Sequence, residues 1–323
     1  MFFESKKIVV TGAAGFIGSN LTDKLLELGG EVIGIDNLFN GSLENLEEAL
    51  KNKKFKFYKG DVRDLNFLLS VFDGVEIVFH QAAFTSVPQS VIMPESCNNV
   101  NINGTLNILN AARLKDIEKI IFASSSSVYG DTPTLPKKEG MLRVPISPYG
   151  VAKLASESYM QVFHHIYGLK TISLRYFNVY GPRQKDSPYS GVIAIWLGRI
   201  VQNKDLIIFG DGENSRDFTY IKDVIKANLL AAKKNIAGEI VNIGANSPIN
   251  LMNLAKLMLK ITNREDLKIK HTSPRPGDII HSFADISKAN SLLKFQPKYN
   301  QEEGLRDYFK WYCNKYNIDL KIN

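Results

Sequence analysis

The segment that most restricts what this chain can fold into is a short apolar run, 7–11, that stops at Gly12-Ala13-Ala14-Gly15-Phe16-Ile17-Gly18 and passes at once into a helical stretch, 19–28. A glycine turn between strand and helix lets the backbone approach a pyrophosphate, which then lies on the positive end of the helix dipole. The spacing is Gly-x-x-Gly-x-x-Gly, one residue longer in its first gap than the common dinucleotide fingerprint. Glycines alone carry little weight. The next strand, 31–35, ends in Asp36, at the distance where an acidic residue hydrogen-bonds an adenosine ribose. Asp36 repels a 2′-phosphate, and Asn37 and Leu38 follow it where an arginine would accept one. NAD is therefore expected over NADP. The bland reading of Asp36 is a turn residue, and strand, glycine turn and acid together outweigh it.

The alternation continues. Strands are predicted at 8–11, 32–35, 55–59, 77–80, 120–124 and 171–175, with helical stretches between them, the pattern of a doubly wound parallel sheet. Polar residues cluster at the strand ends: Gly12, Asp36, Asp61, His80-Gln81 and Ser124-Ser125. Ligands of open α/β sheets bind there. Beyond Asn178 the elements shorten, with loop signals at 211–215, 244–248 and 273–278 and helices predicted over 192–203, 221–235, 251–260 and 304–315. The expected fold is α/β: a Rossmann-type domain over 1–177 and a smaller C-terminal α/β substrate domain over 178–323, with the chain crossing between the two.

The 323 residues, 44% hydrophobic and 23% charged, suit one or two packed domains. No apolar run approaches a membrane span, and the opening Met1-Phe2-Phe3-Glu4-Ser5 is no signal peptide, so a cytoplasmic location is the default. Cys97 and Cys313 are too few for a disulfide framework and lack metal-ligand spacing, and no metal is expected. A net charge of +7 raises the question of nucleic acid. However, the densest basic run (Lys51, Lys53, Lys54, Lys56, Lys59) reads as the flank of an exposed strand. Neither nucleic acid nor a membrane is an expected partner.

The chemistry is carried by Tyr149-Gly-Val-Ala-Lys153, with Ser125 24 positions upstream. Ser147 is a good N-cap, Pro148 suits the first turn and Gly168 stops the helix, so Tyr149 and Lys153 share one helix face. An ammonium beside a phenol favours the phenolate and makes tyrosine a base near neutral pH.

Several motifs fall in order along the chain: the glycine turn, Asp61-Val62, His80-Gln81-Ala82-Ala83, Ser124-Ser125-Ser126-Ser127-Val128-Tyr129-Gly130, the Tyr149/Lys153 pair, Leu174-Arg175-Tyr176-Phe177-Asn178-Val179-Tyr180-Gly181-Pro182-Arg183 and Gly210-Asp211-Gly212-Glu213-Asn214-Ser215-Arg216-Asp217-Phe218. From Ile8 to about Lys288 the chain resembles the extended short-chain dehydrogenase/reductases, specifically the NAD-dependent UDP-sugar 4-epimerases.

The resemblance implies that Tyr149, as phenolate, takes the proton of the sugar 4-hydroxyl, Ser125 orients the same oxygen, and hydride passes between C4 and the nicotinamide. Lys153 then holds the nicotinamide ribose and activates Tyr149. It places Gly12, Gly15, Phe16, Ile17, Gly18, Asp36, Asn37, Asp61, Val62, Gln81, Ala82, Ala83 and Phe177 at the cofactor. The UDP-sugar falls to Ser86, Ser126, Asn178, Val192, Phe209, Arg216, Arg275, Asp278 and Ser282, the two arginines serving the diphosphate. Sister 4,6-dehydratases carry an acidic pair where Ser126 and Ser127 stand, and UDP-glucuronate decarboxylases a glutamate at Ser127, so both readings lose weight, the decarboxylase remaining the alternative enzyme. A non-catalytic NAD-binding sensor is the alternative of another class. Asn101 reads as satisfying backbone groups at a helix kink, and His80 as packing a strand end.

Ser282 occupies a gatekeeper position where tyrosine confines such enzymes to UDP-glucose and UDP-galactose. Serine leaves room for an N-acetyl group, so UDP-GlcNAc and UDP-GalNAc are the expected pair, with the unacetylated pair also open. Gln89 and Ala194 depart from the pattern of that subgroup. The resemblance also implies a homodimer built on the helix after Ser147 and the one around 102–113.

Overall fold

A computed structural model describes residues 2–185, 191–274, 280–320 and 322. Seven parallel strands form the central sheet: β1 (Lys7–Thr11), β2 (Glu31–Asp36), β3 (Phe55–Lys59), β4 (Ile77–His80), β5 (Lys119–Ser125), β6 (Lys170–Tyr176) and β7 (Glu239–Ile243). Their spatial order is β7-β6-β5-β4-β1-β2-β3. The fold is thus of the Rossmann type. The six predicted strands lie within these limits or match them.

Alternate strand residues enter two separate cores, as a sheet covered on both faces requires. Ile8, Val10, Phe79, Ile121 and Leu174 pack on one face with α1 (Phe16–Glu27) and α4 (Ile221–Lys233). Val9, Val78, Ile120 and Phe122 face the other side, against α2 (Gly104–Leu114) and α3 (Pro148–Tyr167). The chain leaves β1 in one direction for β2 and β3, then returns to place β4 on its other flank. A crevice therefore opens between the carboxyl ends of β1 and β4, where Gly12 and Gln81 lie.

The seventh strand escaped the sequence reading. Its Glu-Ile-Val-Asn-Ile carries Asn242 in mid-strand, a polar residue that breaks the apolar run. The structure shows why it is tolerated: Asn242 is fully buried, accepts a hydrogen bond from Tyr129 Oη (2.7 Å) and donates to the Lys137 carbonyl (2.8 Å). Strand β7 pairs with β6 from Ile172 to Tyr176, so the C-terminal half of the chain closes the sheet of the N-terminal half. Smaller pieces complete that half. Ser215–Arg216 pairs with Ile249–Asn250 and with His281–Ser282, and Leu206–Phe209 pairs with Ile269–Thr272.

Helix α3 is punctuated as its sequence suggests. The Ser147 hydroxyl accepts the Gly150 N–H at 3.1 Å, Pro148 opens the first turn, and Gly168 closes the helix at φ 72°. Such a closure favours glycine.

Candidate active site

The glycine turn is packed to its limit. Gly12 has φ 69°, and a Cβ there would lie 2.8 Å from the Ala82 nitrogen; a Cβ on Gly18 would collide with the Gly12 carbonyl. Helix α1 therefore begins directly against the end of β1, while β4 leads into Gln81-Ala82 beside it. Its N-cap is Gly15, which supplies no capping side chain, and no acid stands in its first turn. Free N–H groups at a positive helix end, backed by backbone that no side chain shields, fit the pyrophosphate of a dinucleotide. Phe16 and Ile17 form the first turn of α1, packed partly against the core.

Asp36 ends β2 and is 8% exposed. Its Oδ2 accepts the Ala14 N–H (3.0 Å) and its Oδ1 the Leu38 N–H (2.7 Å), and burial raises its pKa. The carboxylate thus shapes the glycine turn as well as ending the strand, and each oxygen keeps lone-pair capacity for a ribose hydroxyl. Asn37 donates to Asp61 Oδ2 (2.9 Å), and Asp61 is gripped by Arg63 through two bonds of 2.9 and 2.8 Å, which hold its carboxyl well below the usual range. Val62 is buried beneath Gly104. Gln81 turns its side chain away from the glycine turn, donating to Tyr176 Oη (3.3 Å) and Asn228 Oδ1 (3.2 Å). The backbone of Gln81 and Ala82 packs directly against Gly12.

Ser125 ends β5 in extended backbone, and its Oγ accepts the Ser127 N–H at 3.1 Å at the start of the single turn Ser126–Tyr129. It is also hydrogen-bonded with Tyr149. Lys153 is 2% exposed and donates to the Ala123 carbonyl (2.7 Å), with Nζ 4.8 Å from the Phe122 ring centre and 5.8 Å from that of Tyr149. Strand β5 and helix α3 thereby bring Ser125, Tyr149 and Lys153 together at the carboxyl edge of the sheet.

Burial dominates the electrostatics of this pair. Burial pushes the Tyr149 phenol up to about 12, the Ser125 hydrogen bond opposing, and pushes the Lys153 ammonium down to about 8, with Cys97 and Glu157 opposing. Desolvation disfavours both charged forms. The phenolate needs further positive charge.

Several contributors had no role assigned from sequence. Tyr149 is anchored through its N–H to Ser90 Oγ (3.2 Å), one turn inside the helix that Ser86 caps by accepting the Gln89 N–H (3.2 Å). Below Lys153, Glu157 forms a fully buried fork with Arg175 (2.8 and 2.7 Å), and its Oε1 also accepts from Ser124 Oγ (2.5 Å). The four-residue step from Lys153 to Glu157 was the available signal. Asn101, by contrast, takes the place expected of it, satisfying backbone groups at a helix irregularity: it sits in a π-helical turn, Asn99–Asn103, accepts the Phe84 N–H (2.7 Å) and donates to the Phe84 carbonyl (3.1 Å).

On the nucleotide side, Phe177 is fully buried against Tyr129, and Asn178 (φ 29°) donates to the Asp217 carbonyl at 3.3 Å. Arg216 lies directly beside Ser282 in paired strands, so the two residues share one face. Arg216 donates to the Ile280 carbonyl (3.0 Å). Val192 opens the helix Val192–Val201, and Phe209 ends its strand farther along the same half. Arg275 and Asp278 lie outside the described residues. Among the described residues, no group of three or more His, Cys, Asp or Glu is placed to hold a metal, and no helix is long and apolar enough to cross a membrane.

The sequence profile of the NAD dependent epimerase/dehydratase family matches residues 8–244. A UDP-glucose 4-epimerase of Mycolicibacterium smegmatis is 37% identical, the match covering 96% of this chain and 99% of that protein. A structure of UDP-N-acetylglucosamine 4-epimerase from Methanobrevibacter ruminantium in complex with UDP-N-acetylmuramic acid superposes with TM-score 0.92 at 39% identity, covering 97% of this chain and 99% of the other. UDP-glucose 4-epimerase from Thermotoga maritima with UDP-glucose gives TM-score 0.91, also at 39% identity, over 96% and 99%.

Proposed function

The chain belongs to the NAD dependent epimerase/dehydratase family, and on that basis we propose that it is a UDP-hexose 4-epimerase working through a transient 4-keto sugar. The observation that carries this reading is the meeting of Ser125, Tyr149 and Lys153 beside the glycine turn. When bound, NAD supplies the two-electron acceptor and a cationic ring. Gly12, Gly15, Gly18 and Asp36 would hold it, with Lys153 at the reacting end. Tyr149 takes and returns the proton of the 4-hydroxyl, and Ser125 orients that oxygen. Because the phenol starts near 12, Tyr149 becomes a base near neutral pH only when the assembled site adds positive charge. Ser126 and Ser127 offer no carboxylate for elimination, which favours epimerisation over dehydration.

For the sugar, the supporting observation is the pairing of Ser282 with Arg216. A small side chain beside the diphosphate arginine leaves room for a 2-acetamido group, favouring UDP-GlcNAc and UDP-GalNAc, with the glucose and galactose forms also accepted. Arg275 and Asp278 remain part of this proposal as diphosphate and uridine-ribose contacts. The test is incubation with a panel of UDP-sugars and chromatographic separation of C4 epimers, with Tyr149→Phe as the inactive control. Carbon dioxide release from UDP-glucuronate would replace the reading with a decarboxylase, and NAD binding without any exchange would leave only a sensor.

We also propose a homodimer. Val151, Val162 and Ile166 fall on one exposed face of α3, next to α2, whose Arg113 covers the Tyr167 ring at 4.8 Å. Light scattering should report twice the mass of one chain, and a charged residue at Ile166 should halve it. A cytoplasmic setting suits the two buried, unpaired cysteines.

A further inference from the structure

Asp217 is a fully buried carboxylate. Its Oδ1 accepts the N–H groups of Ala245 (3.0 Å) and Ser247 (3.4 Å), and its Oδ2 those of Asn246 (3.1 Å) and Ala284 (3.3 Å). A Cβ on Gly244 would collide with Oδ2, so the loop closes on the carboxylate only because that position is glycine. The backbone of Asp217 is committed as well. Its N–H donates to the Ser282 carbonyl (3.0 Å), and its own carbonyl accepts from Asn178 Nδ2 (3.3 Å).

Four segments distant in sequence meet at this one residue. They are the strand Ser215–Arg216, the loop 244–247 leaving β7, the strand carrying Ser282, and Asn178 leaving β6. Three of the four carry residues assigned above to the UDP-sugar. A carboxylate with four N–H partners is saturated and cannot itself reach a ligand. Charge-assisted bonds of this kind fix backbone geometry more firmly than neutral ones.

We propose that Asp217 is a positioning residue that sets the shape of the sugar-nucleotide pocket, its carboxylate holding loop 244–247 and the Ser282 strand against Arg216. This inference rests on the UDP-sugar reading of the site. It predicts that loss of the charge weakens nucleotide binding while the Ser125–Tyr149–Lys153 chemistry is retained.

Asp223 provides a matched control. It too is buried, and it accepts the Lys298 (2.9 Å) and Tyr299 (3.1 Å) N–H groups, but it braces the approach to the helix Gln301–Tyr316. The near-isosteric variants Asp217→Asn and Asp223→Asn are compared by titrating UDP and by the kinetics of UDP-GlcNAc turnover. For Asp217→Asn, the Kd for UDP and KM are expected to rise at least about tenfold, with kcat within about threefold of wild type. Asp223→Asn is expected to lower the melting temperature and leave Kd and KM unchanged. Hydrogen exchange on the wild-type protein gives a variant-free readout: UDP should slow the amides of 245–247 and 284. Unchanged Kd and KM in Asp217→Asn, equal shifts in both variants, or no protection of those amides by UDP would each overturn the inference. Wild-type protein that neither binds UDP nor converts any UDP-sugar removes the underlying reading, and the inference with it.

Discussion

His80 should make this protein lose stability as pH falls below about 6.5, the ordinary histidine value. Its ring is 1% exposed and touches two threonine hydroxyls, Thr11 Oγ at 2.8 Å from Nδ1 and Thr105 Oγ at 3.0 Å from Nε2. The neighbouring bonds fix the proton positions. Thr105 donates its hydroxyl hydrogen to the Asn101 carbonyl (2.5 Å), so it accepts from Nε2–H. Thr11 accepts the Ala82 N–H (3.2 Å) and donates to the bare Nδ1. Protonating Nδ1 would set two donors face to face in a buried site next to the glycine turn. Burial, with a smaller contribution from Lys153, accordingly pushes His80 down to about 3.

The folded state therefore refuses a proton that the unfolded chain accepts. Stability from this group is fully present above about 6.5 and is lost as pH falls towards 3. Between pH 7 and pH 5 the loss amounts to about 2 kcal/mol, at most about 1.4 kcal/mol per unit. Asp36, Asp217 and Asp223, whose carboxyls burial raises, act in the opposite sense at lower pH. The clean measurement is thus the difference between wild type and His80→Gln in urea unfolding at the two pH values. The variant should be less stable at pH 7 but lose about 2 kcal/mol less on going to pH 5. Parallel losses in the two proteins, or a His80 ring signal titrating near 6.5, would refute the argument.

Three further outcomes are expected. Gly18→Ala should abolish NAD retention, measured as bound nucleotide after gel filtration, because the methyl group meets the Gly12 carbonyl; were the contact loose, alanine would instead stabilise the helix by about 1 kcal/mol. Arg175→Met leaves Glu157 charged and buried and should cost about 3–5 kcal/mol in urea unfolding, with much of it recovered in the Arg175→Met/Glu157→Leu double variant. Additive losses would show the pair to be uncoupled. Ser282→Tyr should stop turnover of the N-acetylated pair and spare UDP-glucose, and equal loss on both would remove the gatekeeper role.

How much of this was legible depended on the reach of the forces involved. The glycine turn, the ends of β1 to β6 and the caps of α3 follow from local rules of backbone geometry and capping, and a sequence displays those directly. Strand β7 did not show, because Asn242 is satisfied by partners distant in sequence, Tyr129, Lys137 and Asp285. Gln81 likewise bonds through its side chain to Tyr176 and Asn228, distant contacts that its motif does not display. The Tyr149–Lys153 spacing correctly implied a shared helix face. It could not convey that both groups are desolvated, because burial depends on residues far from either in sequence.

The strand order explains why one sheet can serve both ligands. Neighbouring strands lie about 4.8 Å apart. Ser125, at the end of β5, therefore stands roughly 10 Å from the glycine turn after β1 and roughly 10 Å from loop 244–247 after β7, with one strand between in each direction. The glycine turn lies on one side of Ser125 and loop 244–247 on the other. Had β7 been absent, the loop that closes on Asp217 would have no strand to leave from, and β6 would reach the segment 215–220 only through Asn178 and the short pairing of Val179–Tyr180 with Thr219–Tyr220. The late strand from the C-terminal half thus puts loop 244–247 and Asp217 in register with Ser125 and Tyr149. Arg216 and Ser282 inherit that register through Asp217, which joins β7's loop to their strands.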